Sequence, residues 1–434
     1  MTHACDACDF CDVFAGRLIL SHHKDDAAAA ALVEDVRMQK ISHVAYLESM
    51  PDRLQARGVK LPAKYAFYHH LLQVPAGEEQ FNINFLRFYY QQQILHILGS
   101  GTSNTISRLR QVLGKSDTHM LVVPDSALSV TAAGATGFAF DVTNHAAYCK
   151  MLGLPNSAST GVGVRVAIID TGLDPRLGIT ASPRSVNCSD DAHPMVVDDS
   201  SGHGSVVASI IHDVVPNAEF TILKIGERNP IPEWHVLSAL IAAHDEDVVN
   251  LSLSFGLATR DCHTCGRHQT SSSRSAVFEQ AIGEQLRLRP DCVLVAAAGN
   301  RGLSPADFPA RFGGVVAVGA VDSGGAVSSF SSGGGSNYGT TAHGGAAHTL
   351  VFFAPGGGGP EYVATTTIGG TAKSYQGTSF AAPYAVALFA HYLGDPRQTR
   401  GRQAAFDHFM NNAKSGAIVN FSMADHGHGL IYLP

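Results

Sequence analysis

A serine hydroxyl becomes a nucleophile when a base takes its proton, and the base works best when a third group fixes its orientation. Three short stretches of the 434-residue chain hold the residue types for such a relay. Residues 164–172 read VRVAIIDTG, an apolar run closed by Asp170 and a turn. Residues 201–208 read SGHGSVVA, with His203 between two glycines at the start of a helical pattern. Residues 376–383 read QGTSFAAP, with Ser379 among small residues before another apolar run. Each alone has a plainer explanation. Asp170 could cap a turn, Ser379 could cap a helix, and His203 is one of 22 histidines. Their surroundings nevertheless suit chemistry. An acid at the carboxyl end of a buried strand lies where α/β proteins keep their sites. A helix N-terminus directs N–H groups at a developing negative charge, and small neighbours let a substrate carbonyl come close.

These residues need rigid elements beneath them. From about residue 155, short β-branched runs at 164–169, 219–224, 248–253, 292–297 and 315–318 alternate with helical stretches such as 234–244. The alternation predicts an α/β domain over 156–434, with a mostly parallel sheet flanked by helices. Upstream, Ala29, Leu32, Val33 and Val36 share one helical face, and Phe67, His70, Leu71 and Val74 repeat the pattern. Residues 81–98, and a stretch with Ile106, Leu109 and Leu113, extend it. Residues 1–115 are therefore expected to form a mainly helical N-terminal domain, a small bundle with a regulatory, adaptor or pro-region role. Residues 116–155 read as a connecting segment with short strands at 120–123 and 137–142, and 323–339 as a surface loop.

Composition narrows the function classes. Apolar residues make up 45% of the chain, which supports a sizeable core and excludes a mainly disordered protein. The formal charge is −7 and no basic cluster stands out, so nucleic acid is not an expected partner. No apolar run approaches the ~18 residues that a membrane span needs. The start, MTHACDACDFCDVFAGRLIL, lacks the basic beginning and long apolar stretch of a secretory signal, so the expected location is cytoplasmic, with reduced thiols. Cys5, Cys8 and Cys11 form a CxxCxxC run near His3, and Cys262 and Cys265 form a separate CxxC. Neither supplies four metal ligands by itself, so free thiols are favoured over a joint zinc site.

The order Asp, His, Ser along the chain is that of subtilisin. IIDTG, GHG and GTS-x-A-x-P resemble the three signature blocks of the subtilisin-like (S8) serine peptidases. Residues 249–253 (VNLSL) resemble that family's substrate-binding strand, and 295–300 (VAAAGN) the block with its oxyanion-hole asparagine. Residues 308–310, 318–321, 328–331 and 427–431 resemble later blocks in the right order. The resemblance covers about 155–434. It implies a serine endopeptidase acting through an acyl-enzyme. Ser379 would attack, His203 take its proton, Asp170 hold the imidazole, and Asn300 with the Ser379 N–H bind the oxyanion. Ser252, Leu253 and Ser254, with Ala297, Ala298 and Gly299, would flank the P1 side chain, and 252–254 would pair the substrate backbone. The implied substrate is a protein or peptide, with a regulatory protein partner conceivable through 1–115, and no cofactor is required. Family members often bind structural calcium, but no acidic ligand loop is evident; Asp190, Asp191, Asp198 and Asp199 read as a solvated loop.

Several positions depart from the family pattern. Ser205 and Val206 stand in place of Thr and His, Phe380 in place of Met, and Ala382 and Tyr384 in place of Ser and His around Pro383. Ser254 replaces a glycine of the P1 pocket. None of these removes a catalytic group. An active enzyme of a divergent branch is expected, the alternative being a catalytically idle binding module or adaptor. The family's usual N-terminal extension is a small α/β inhibitory pro-region, which a helical bundle over 1–115 would not match.

Overall fold

The computed structural model describes residues 16–59, 61–99, 120–125, 127–128, 140–141, 144–154, 161–190, 192–227, 231–253, 260–261, 268–269, 275–302, 306–333, 350–368 and 371–434. Two compact units emerge. The smaller takes in Met1–Ala127, Pro232–Ser238 and Ala258–Glu284; the larger takes in Leu128–Ile231, Ala239–Leu257 and Gln285–Pro434.

The smaller unit is built on a sheet. Its elements are β1 (Arg17–His23), α1 (Ala27–Arg37), β2 (Ala45–Ser49), α2 (Met50–Ala56), β3 (Phe67–Gln73), α3 (Glu79–Gly99) and β4 (Leu121–Pro124). The strands lie in the order β2-β3-β1-β4, antiparallel throughout. With the short α2 set aside, this is a split β-α-β-β-α-β unit. α1 starts where Asp26 accepts hydrogen bonds from the N–H groups of Ala28 and Ala29. Its face of Ala28, Ala29, Leu32, Val33 and Val36 joins Leu18 and Leu20 of β1, Leu72 of β3 and Leu86 of α3 in one core.

Helices hold more of this unit's residues than strands do, but they do not form a bundle. Most of the stretch read as helical, Phe67–Gln73, is a strand. It lies between β1 and β2, and His69, His70, Leu71 and Leu72 are buried in succession. With both faces covered, the strand shows no alternation, and its apolar spacing imitates a helix. The sheet also reaches past the expected boundary at 115, because β4 pairs with β1. The helix expected around Ile106 lies outside the described residues. The unit is thus small and α/β, so the expected contrast with the family's pro-region does not hold.

The larger unit carries the expected parallel sheet. Its strands are β5 (Arg165–Asp170), β6 (Val186–Asn187), β7 (Glu219–Lys224), β8 (Val248–Leu251), β9 (Val293–Ala297), β10 (Val315–Val321) and β11 (Leu350–Pro355). They are ordered β11-β10-β9-β8-β5-β7-β6, every pairing parallel. From β5 the chain first winds outward to β6 and β7, then returns to β8 on the other side. That reversal is the switch point at which open α/β sheets bind ligands, and Asp170 is the last residue of β5. Two helices complete the frame, α4 (His203–Val214) and α5 (Thr378–Gly394). α5 is apolar nearly all round, as a fully covered helix must be, and lies against α4 and β8 to β11. Of the two short strands expected in the connecting segment, one is β4 and the other is Phe140–Asp141, which pairs with Thr365 and Thr366.

Candidate active site

Asp170 and His203 meet because β5 ends where α4 begins. His203 Nδ1 and Asp170 Oδ1 are 2.7 Å apart, and both side chains are buried. A carboxylate only accepts, so Nδ1 carries the proton and Nε2 is left as a lone pair. Among the described residues, Nε2 is buried without a hydrogen-bond partner. The backbone demands both glycines around this histidine. Gly202 has φ +87, and a Cβ on Gly204 would lie 2.4 Å from the Gly172 carbonyl oxygen.

Asp199 ties this turn together. Its Oδ1 accepts from Ser201 N and Gly202 N at 2.9 Å and from Thr171 Oγ1 at 3.0 Å. Its Oδ2 accepts from Ser205 N at 2.9 Å and Ser205 Oγ at 2.7 Å. An anion at a helix N-terminus is favoured by both the free N–H groups and the dipole. Asp199 is therefore no solvated acid, contrary to expectation. It cross-links the segment after Asp170 to the segment around His203. Ser205, in the place of the usual Thr, both donates to Asp199 and accepts from Asp174 N at 2.9 Å.

Ser379 is the second residue of α5 and is buried. The neighbouring Thr378 organises Asn300. Asn300 Oδ1 accepts from Thr378 N at 2.8 Å and from Thr378 Oγ1 at 2.9 Å, while Thr378 Oγ1 accepts from Gly299 N at 3.1 Å. A backbone N–H can only donate, so the atom it meets must be the amide oxygen, and Nδ2 faces the other way. A Cβ on Gly377 would lie 3.1 Å from that Nδ2, which places the amide beside the turn leading into Ser379. Asp307 closes the loop from the far side. It pairs with Arg301, and a Cβ on Gly299 (φ +107) would fall 2.2 Å from its Oδ2.

The Phe380 ring lies 4.9 Å from the His203 ring, centroid to centroid. That contact brings the residue after Ser379 onto the imidazole and fills the place of the usual methionine. Tyr384, another departure, donates or accepts at His145 Nδ1, 3.0 Å away, and burial pushes its hydroxyl far above the ordinary phenol range. Ala297 ends β9, and Ala298 is fully buried with its N–H on the Val318 carbonyl. Leu253 is buried, Ser252 directs its hydroxyl at the Ser379 carbonyl, and Ser254 lies outside the described residues. The cysteines at 5, 8, 11, 262 and 265 also lie outside them. Among the described residues, no group of three or more His, Cys, Asp or Glu side chains is disposed to hold a metal ion. No helix among them is long and apolar enough to cross a membrane.

The family model described as the subtilase family matches residues 161–428, well over half of the chain. The chain belongs to the subtilase family. The match spans Asp170, His203, Asn300 and Ser379. Among curated relatives, this subtilase is 29% identical to subtilisin Savinase of Lederbergia lenta over 279 residues, 64% of this chain and 91% of that one. It is 29% identical to an alkaline protease of Shouchella clausii over 279 residues, 64% of each chain. The solved structure of the epidermin leader peptide processing serine protease of Staphylococcus aureus resembles it with a TM-score of 0.60 at 18% identity, covering 96% of this chain and 97% of that one. The last likeness is one of fold. Family membership makes this subtilase a serine endopeptidase, with peptide or protein as substrate.

Proposed function

We propose that Ser379 is the nucleophile, His203 its general base and Asp170 the acid that orients the base. Asn300 Nδ2 and the Ser379 N–H bind the oxyanion. The observation carrying this reading is the buried 2.7 Å Asp170–His203 hydrogen bond, on an imidazole packed against Phe380. Ser379 Oγ attacks the scissile carbonyl while its proton passes to His203 Nε2. The oxygen that becomes charged meets the two N–H donors, and collapse expels the amine with the proton from His203. A water deprotonated by the same nitrogen then hydrolyses the acyl-enzyme. The backbone of 252–254 pairs the substrate as an added strand, and 297–299 flank its P1 side chain. Every step draws on side chains and backbone, with no cofactor. An idle binding module would not need Asp170, His203, Asn300 and Ser379 together.

The smaller unit restrains this peptidase. Two features support that role: its split β-α-β-β-α-β build is a small α/β one, and it holds none of the proposed catalytic residues. Intact-mass measurement on the full chain tests both halves of the reading. A chromogenic ester should leave one acyl group on Ser379 and none on Ser379→Ala. On incubation, the wild type should lose its N-terminal segment as hydrolysis rises, while Ser379→Ala stays whole. An acyl group elsewhere contradicts the mechanism, and full hydrolysis by the uncut chain contradicts the restraint.

A further inference from the structure

Pro383 lies inside α5, four residues after Ser379. In an α-helix the N–H of residue i+4 closes on the carbonyl of residue i, and proline has no N–H. The Ser379 carbonyl is thus denied its ordinary helical donor at the turn that must hold the nucleophile. Ser252 supplies a proton in that place: its hydroxyl donates to the Ser379 carbonyl oxygen at 2.8 Å, with both residues buried. The hydroxyl has one proton, and the Ser379 carbonyl at 2.8 Å is a nearer acceptor for it than Asn250 Oδ1 at 3.3 Å. The hydroxyl oxygen is oriented in turn by Asn250, whose Nδ2 donates to it at 2.9 Å. Asn250 sits in β8, in register with Ile168 of β5 and Val295 of β9. The same sheet position therefore stands between the strand of Asp170 and the strand leading to Asn300.

We propose that Asn250 and Ser252 are positioning residues for Ser379: they replace the donor that Pro383 removes and so fasten the first turn of α5 to the centre of the sheet. This rests on Ser379 being the nucleophile. Ser252 then acts on the chemical step rather than on substrate affinity, although its neighbours face the substrate. The same reasoning explains why proline is tolerated at 383. Its cost is offset by a donor from outside the helix.

The test is a double-mutant cycle in the full chain with Ser252→Ala, Pro383→Ala and the pair. Pro383→Ala restores a helical N–H four residues after Ser379, which makes the Ser252 hydroxyl redundant. Ser252→Ala alone should lower kcat on the order of tenfold to a hundredfold with KM nearly unchanged, as expected for the loss of a buried hydrogen bond on the nucleophile's own carbonyl. In the Pro383→Ala background, Ser252→Ala should cost less than about threefold, because the second donor is already present. A loss confined to KM, or an equal kcat loss in both backgrounds, overturns the proposal. If Ser252→Ala does not fold alone, the Pro383→Ala background should restore folding; failure to do so also counts against it. Labelling by a fluorophosphonate separates the two layers. An unlabelled Ser379 in the wild type means that the nucleophile is misassigned. A labelled wild type with no coupling means that only the positioning role is wrong.

Discussion

Both units bury histidine, and they treat it in opposite ways. In the larger unit, His203 is set against the carboxylate of Asp170. In the smaller unit, His22, His69 and His70 are buried against neutral partners. The Tyr65 hydroxyl meets His69 Nε2 at 3.0 Å, and the Nε2 atoms of His22 and His70 are 3.1 Å apart in stacked rings. His22 Nδ1 donates to the His23 carbonyl at 2.8 Å, so its Nε2 accepts from His70. Burial lowers His22 from its ordinary value and pushes His69 and His70 down to about 3. A carboxylate readies an imidazole to receive a proton, whereas a neutral hydrogen-bonded chain resists one. Residue type alone does not say which it will be.

The sharpest way to break this contrast is to substitute both kinds of histidine. His203→Ala should lower kcat by about 10⁴–10⁶ without comparable change in KM. His69→Gln should leave kcat within about twofold and alter only stability, because a polar side chain replaces a neutral imidazole in the unit that holds none of the proposed catalytic residues. Peptide hydrolysis by both variants decides the matter, and equal losses would erase the distinction.

Two further substitutions sharpen the picture within the larger unit. Asn300→Ala should cost about 10²–10³ in kcat with KM much less affected, the size of loss that removal of the oxyanion-hole asparagine causes in subtilisin. A loss seen only in KM would make Asn300 a ground-state contact. Asp199→Asn should have a smaller effect, roughly tenfold in kcat together with a lower Tm, since an amide turns donors toward donors. Steady-state kinetics beside thermal melts would show whether both quantities move.

The last effect expected is on stability, in the response of the smaller unit to pH. Its histidines bind protons less readily folded than unfolded. The stabilising contribution of His69 and His70 is full above about 6.5 and falls as pH drops toward 3, by up to about 1.4 kcal/mol per pH unit for each, and His22 shifts in the same direction. Asp125 runs the other way, since burial raises it to about 6, so folding gains from its protonation between about 6 and 4. Three groups oppose one, and acid should loosen this unit. Trp234 is the single tryptophan, fully buried in the same unit, with its indole N–H donating to Glu48 at 2.6 Å. Its emission should shift to the red as pH falls from 6.5 to 4, less so in His69→Gln. An acid-insensitive signal would contradict the neutral chain.

How far the sequence could be read follows the same division. Asp170, His203 and Ser379 were legible because the proposed chemistry needs fixed residue types at a strand end and two helix starts. Asp199 was not, since its role depends on donors gathered from 171 to 205 by a turn without periodicity. Its place four residues before His203 was the only local signal. Ser252 is legible in the sequence only as part of a substrate strand; the carbonyl that its hydroxyl meets lies 127 residues away, beyond the reach of any local pattern. In the smaller unit, β3 imitated a helix because both its faces are covered, and length between Pro62 and Pro75 was the better guide.

In the proposed mechanism Ser379, activated by His203, is the group that attacks the substrate. Treatment of the wild type and Ser379→Ala with a fluorophosphonate, followed by peptide mapping and a hydrolysis assay, tests it most directly. One adduct is expected, on Ser379, formed in step with loss of activity, and neither adduct nor hydrolysis in Ser379→Ala. Hydrolysis that survives in Ser379→Ala, or an adduct on another residue, would contradict it.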